Sequence, residues 1–108
     1  MNPAITKNTT IDYDQNHAFK NADFIYVKNW SNYTNYGKVL CQDPEWIITS
    51  EKMALTHEAK FMHCLPVRRN VIVSDAVLDS KNAIVIEQAN NRTYATQAVL
   101  TKLLNHEN

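Results

Sequence analysis

Three short apolar runs, separated by longer polar stretches, set the plan of this chain. Phe24, Ile25, Tyr26 and Val27 stand together between polar neighbours and predict a buried parallel strand over residues 23–27. Residues 59–62 form a second run that leads through His63-Cys64-Leu65 into Pro66. Proline has no N–H to continue a ladder, so this run reads as a strand ending in a rigid turn. The third, β-branched run at residues 83–86 predicts another buried strand. Beyond it, Ala95, Ala98, Val99 and Leu103 recur at helical spacing and predict a helix over residues 91–104.

The stretches between are weaker. Ile11 to Tyr13 predicts an edge strand, and Asp14 the N-cap of a brief helix through Ala18, Phe19 and Ala22. Residues 28–45 read as a long loop carrying Trp30, Tyr33 and Tyr36 as packing residues, and Trp46 to Ile48 as a short apolar link. Ser50 is expected to cap a helix of about two turns, Ser74 to cap a helix over Asp75 to Leu78, and residues 79–82 to turn the chain. Strands alternating with helices predict an α/β fold with a parallel sheet. On such a sheet Lys28-Asn29-Trp30, His63-Cys64 and residues 88–92 each follow a strand, so three polar clusters meet along one edge, at the carboxyl ends.

Composition narrows the function classes. With 108 residues the chain is at most one domain. Eleven basic and eleven acidic side chains cancel, giving no global attraction to nucleic acid or an anionic membrane. No apolar run approaches the ~20 residues of a membrane span, and a soluble, cytoplasmic protein is expected. Cys41 and Cys64 make neither a zinc set nor a disulfide framework, and no metal or cofactor is expected. Gly37 is the single glycine, which excludes glycine-rich phosphate loops.

The stretch richest in chemistry is Phe61-Met62-His63-Cys64-Leu65-Pro66-Val67-Arg68-Arg69-Asn70. Each of its groups has a plain alternative: Cys64 an inert buried thiol, His63 a satisfied core histidine, Arg68 and Arg69 a solvated pair. Lys28 and Arg92 are, on the same footing, surface charges.

The His-Cys-Leu-Pro tetrad, with Asn91-Arg92 one strand-helix unit later, resembles the C-terminal, ornithine-binding domain of the transcarbamylases. The residues around the tetrad, with Ala22-Asp23-Phe24-Ile25-Tyr26-Val27-Lys28-Asn29-Trp30, are similar to the N-acetylornithine and N-succinylornithine branch. The resemblance runs from about Ile11 to Leu104. It implies a partial three-layer, doubly wound parallel sheet forming one partial domain over residues 1–108. The implied reaction is attack of an N-acylornithine amine on carbamoyl phosphate in arginine biosynthesis, by an enzyme that is a homotrimer. Cys64 and Leu65 would border the carbamoyl group with His63 beside them, Arg92 would contact carbamoyl phosphate, and Lys28 and Arg68 would hold substrate carboxylates. Arg69 would be structural.

Lys28 stands where ordinary ornithine members carry an acid, followed by Ser-Met-Gly, to receive a free α-ammonium. An acylated amine has no ammonium, so a cation there is the matching inversion. Some acetylornithine members carry a functional lysine at the position of Ile72, which favours the succinyl side. The family's phosphate-binding Ser-x-Arg-Thr-Arg segment does not occur in these 108 residues. The N-terminal carbamoyl-phosphate domain is therefore expected to lie outside them, and the chain by itself to be inactive. The competing expectation is a non-catalytic α/β binding or assembly module that keeps the tetrad as a relic.

Overall fold

The computed structural model describes residues 7–29 and 43–106. Trp30, Tyr33, Tyr36, Gly37 and Cys41, with most of the expected 28–45 loop, lie outside them. The elements in chain order are α1 (Gln15–Phe19), β1 (Phe24–Val27), a 3-10 turn (Pro44–Trp46), α2 (Ser50–Met53), β2 (Lys60–His63), α3 (Asp75–Leu78) and α4 (Val85–His106).

β1 and β2 pair in parallel, with Ile25 beside Phe61 and Val27 beside His63. Ile25, Val27, Phe61 and His63 are buried, whereas Phe24, Tyr26 and Lys60 point outward. The continuous apolar run of β1 thus behaves as an alternating, half-buried strand rather than one covered on both faces. Around Phe61 the core gathers Ile48 and Val73, which form a parallel bridge, and Ile72, Val77 and Leu78. Burying a side chain of this size contributes roughly 1.5–3 kcal/mol, so this cluster dominates the stability of so small a unit.

The expected strand at residues 83–86 is a single bridge, Phe61 with Ala83. Phe61 N–H donates to Asn82 O at 2.8 Å, and Ile84 N–H to Phe61 O at 2.9 Å. The Ile84 carbonyl then accepts from Gln88 N–H at 2.9 Å, and the chain is already helical. A short β-branched run does not by itself separate a buried strand from the buried start of a helix. Here Val85 is buried and Ile86 exposed, as a helix entering from the sheet requires. The last helix consequently starts at Val85, six residues before the expected position.

Caps follow side-chain reach. Asp14 caps α1 as expected, accepting from His17 N–H at 3.1 Å. Thr49, and not Ser50, caps α2. Ser74 occupies the N-cap position of α3 without making a cap bond. Asn70, in the left-handed region at φ 57°, reaches across and accepts from Asp75 N–H at 3.0 Å. Ile11 to Tyr13 form no strand.

Candidate functional site

β2 delivers His63 to the end of the sheet, and Cys64 and Leu65 follow it onto the Leu65–Pro66 turn, whose peptide bond is cis. α4 returns past this point. Together they enclose a cavity of about 420 Å³ lined by His63, Cys64, Leu65, Gln88, Ala89 and Arg92. Two of the three expected clusters therefore meet at the carboxyl end of the sheet, where open α/β folds place ligands.

The side chains in this wall differ in character. Cys64 is an exposed free thiol, not the inert buried one that is its plain alternative. A hydrogen bond between the Tyr26 phenol and the Cys64 thiol, with some burial, raises the Tyr26 pKa and keeps the phenol protonated. Tyr26 is paired with Met62 in the sheet, two residues before Cys64, so the two side chains share a face. Arg92 is exposed and lies about two turns inside α4, not near its start. A small cost from opposing the helix dipole, expected had the helix begun near residue 91, is removed because that effect fades beyond the first turn.

His63 is fully buried, and neither ring nitrogen has a hydrogen-bond partner among the described residues. Burial lowers its pKa, against a weaker opposing effect of the Cys64 backbone, so the ring is neutral. His63 forms part of the cavity wall while its nitrogens stay sealed from solvent.

Lys28 follows β1 directly and is exposed. It borders a different, more open cavity of about 730 Å³ running along β1 with Asn29, Tyr26 and Trp46. Asn29 connects the two regions, since its Nδ2 donates to the Pro66 carbonyl at 3.2 Å. Arg68 is half-buried and lines neither cavity, although its carbonyl accepts from Ile72 N–H at 3.0 Å. Arg69 is committed elsewhere: it pairs with Asp75 at 2.7 Å and Asp79 at 3.0 Å, anchoring α3. Those carboxylates hold its guanidinium firmly protonated. Ile72 belongs to the core and is fully buried. Among the described residues no cluster has the makings of a metal site.

Gln88, the first residue of the expected 88–92 cluster, lines this wall, whereas Tyr26 lines the cavity along β1. Gln88 Oε1 accepts from the His63 backbone N–H at 3.0 Å. The sequence places Gln88 in the cluster after the third apolar run, one helical turn before Arg92, but gives no sign of this bond.

An open parallel α/β sheet with a thiol, a turn and an arginine at its carboxyl edge defines a ligand-binding α/β domain. Residues 2–103 match the family model for the aspartate/ornithine carbamoyltransferase Asp/Orn-binding domain. The chain belongs to that family. It is 50% identical over 104 residues to the N-succinylornithine carbamoyltransferase of Bacteroides thetaiotaomicron, covering 94% of this chain and 33% of that protein. To the N-acetylornithine carbamoyltransferase of Xylella fastidiosa it is 38% identical over 99 residues, covering 86% of this chain and 30% of that protein. A crystal structure of an N-acetyl-L-ornithine transcarbamylase variant, complexed with carbamyl phosphate and N-succinyl-L-norvaline, superposes with a TM-score of 0.75 at 38% identity. That match covers 85% of this chain and 30% of the other. The chain thus spans about a third of the length of the relatives it matches.

Proposed function

We propose that this chain is the amino-acid-binding part of an N-acylornithine carbamoyltransferase, with N-succinylornithine as the favoured substrate. The observation that carries the reading is the single cavity that brings Cys64, Leu65 and Arg92 together at the carboxyl end of the sheet. In the reaction the substrate's side-chain amine attacks the carbamoyl carbon, a C–N bond forms, and the C–O bond to phosphate breaks. Phosphate departs with the electron pair, and the amine loses its extra proton. Such a step needs oriented donors where negative charge develops, not a covalent nucleophile. Arg92 supplies permanent positive charge for carbamoyl phosphate, and Cys64 and Leu65 border the carbamoyl group with His63 behind them.

Lys28 and Arg68 are assigned to the carboxylates of the acylated amino acid. For Lys28 the Asn29-to-Pro66 hydrogen bond supports this, because it ties the end of β1 to the tetrad turn. Higher identity to the succinyl relative than to the acetyl one supports the succinyl assignment. A cytoplasmic homotrimer completes the reading, and among the described residues no helix is long and apolar enough to cross a membrane.

The test is a chimera in which this chain replaces the matching third of the Bacteroides thetaiotaomicron enzyme. It is assayed with carbamoyl phosphate and ornithine, N-acetylornithine or N-succinylornithine. Turnover of N-succinylornithine is expected at least about tenfold above that of ornithine, and no product from the 108-residue chain alone. A folded chimera that transfers no carbamoyl group, or prefers free ornithine, overturns the assignment.

A further inference from the structure

Gln88 joins the two walls of the cavity, and the sheet shows why a side chain is needed there. In a parallel ladder the bonds from Phe61 to Asn82 and from Ile84 to Phe61 are followed by one from His63 N–H to the carbonyl of Ile84. The chain has already turned into α4 there, and the Ile84 carbonyl accepts from Gln88 N–H at 2.9 Å and not from His63. His63 N–H would otherwise be a buried donor without an acceptor, which is unfavourable. The Gln88 side chain supplies the missing acceptor, its Oε1 standing 3.0 Å from His63 N across 25 residues of sequence. A backbone N–H only donates, so the oxygen end of the carboxamide is the end on His63.

This bond sits one residue before Cys64, and Arg92 follows Gln88 by one helical turn on the same face of α4. Gln88 thus bonds to the residue beside Cys64 and shares a helix face with Arg92.

We propose that Gln88 is a positioning residue for carbamoyl transfer, holding the end of β2 against α4 through the His63 N–H so that Cys64-Leu65 and Arg92 face one ligand. This deepens the carbamoyltransferase reading and rests on it. The essential property is an acceptor oxygen at the tip of a side chain of this length. Glutamate provides it and methionine, close in shape, does not.

Two readouts separate the bond from its consequence. In the 108-residue chain, amide hydrogen exchange at His63 is expected to speed up at least about tenfold in Gln88→Met and to return to the wild-type rate in Gln88→Glu. In the chimera, Gln88→Met is expected to lower kcat at least about tenfold while KM for N-succinylornithine stays within about twofold, and Gln88→Glu to recover most of the loss. Wild-type kcat in Gln88→Met, a loss confined to KM, or failure of Gln88→Glu to rescue overturns the role of Gln88 and leaves the carbamoyltransferase reading standing. An inactive wild-type chimera with a protected His63 amide overturns the carbamoyltransferase reading, and the positioning role with it. Gln88→Asn, too short to reach, is read by the same criteria if Gln88→Met does not fold.

Discussion

His63 shows how a residue named by a motif acquires a different physical character from its burial. Its ring is sealed, neutral and without partners among the described residues. Because burial depresses the folded-state pKa below the ordinary 6.5, the two states differ in protonation only below that value. As pH falls through 6.5 the unfolded chain takes up a proton that the folded chain refuses, and stability is lost. His57 acts in the opposite sense: its hydrogen bond with Asp23 raises its pKa, so its contribution is present at low pH and is lost as pH rises through that raised value. Comparing wild type with His63→Leu isolates the first effect. Urea midpoints at about pH 7.5 and about pH 5.5 should show the wild type losing more stability on acidification than the variant. An equal loss in both would remove His63 as the source. That Cys64, Leu65 and Arg92 belong to the candidate site was legible because short motifs carry them, and they line one cavity. Gln88 falls in the 88–92 cluster that the sequence places at this edge, but its bond to His63 was not legible, because it joins residues 25 apart. Arg69 was expected to be structural and Arg68 not, and the placement of Asp75 and Asp79 supplies the physical reason for Arg69, which they tie to α3.

At the scale of elements, what the short helices need is an acceptor for their first N–H groups, and the nearest candidate is not always the one used. Ser74 looked like the cap of α3, but its Oγ is buried without a partner among the described residues, and Asn70 does the capping. Asn70 also donates from Nδ2 to the Asp75 carboxylate at 2.9 Å while adopting a left-handed backbone that asparagine tolerates better than most residues. Asn70→Ala removes both bonds and leaves a methyl side chain at positive φ, with an expected loss of about 1–3 kcal/mol. Asn70→Gly keeps the backbone freedom and should lose less. Urea denaturation of the three proteins checks the order wild type, glycine, alanine; alanine at least as stable as glycine would contradict it. The third strand illustrates the other limit of local reading, since whether residues 83–86 ladder or coil depends on where the Ile84 carbonyl finds its donor.

For the whole molecule, the long helix α4 extends well past the sheet. Val99, Leu100, Leu103 and Leu104 on its outer half are each more than half exposed. An apolar stripe of this kind on a small unit favours association. The chain is expected to self-associate or to unfold with low cooperativity, and Leu100→Glu with Leu103→Glu to reduce the association. Sedimentation across a range of concentrations checks this; a wild-type chain that stays monomeric and unfolds in one cooperative transition would contradict it.

The sequence by itself determined the α/β class, the two paired strands and the tetrad at the end of one of them. Those features rest on local patterns: apolar runs four residues long, a proline that ends a strand, and a motif of adjacent residues. Tertiary structure decided the rest. It turned the third run into a helix, buried the His63 ring while leaving the Cys64 thiol open, and set Lys28 and Arg68 apart from the cavity that holds Arg92. Each outcome depends on which hydrogen-bonding group or apolar surface arrives from a distant part of the chain. Periodicity within one segment carries no information about that arrival.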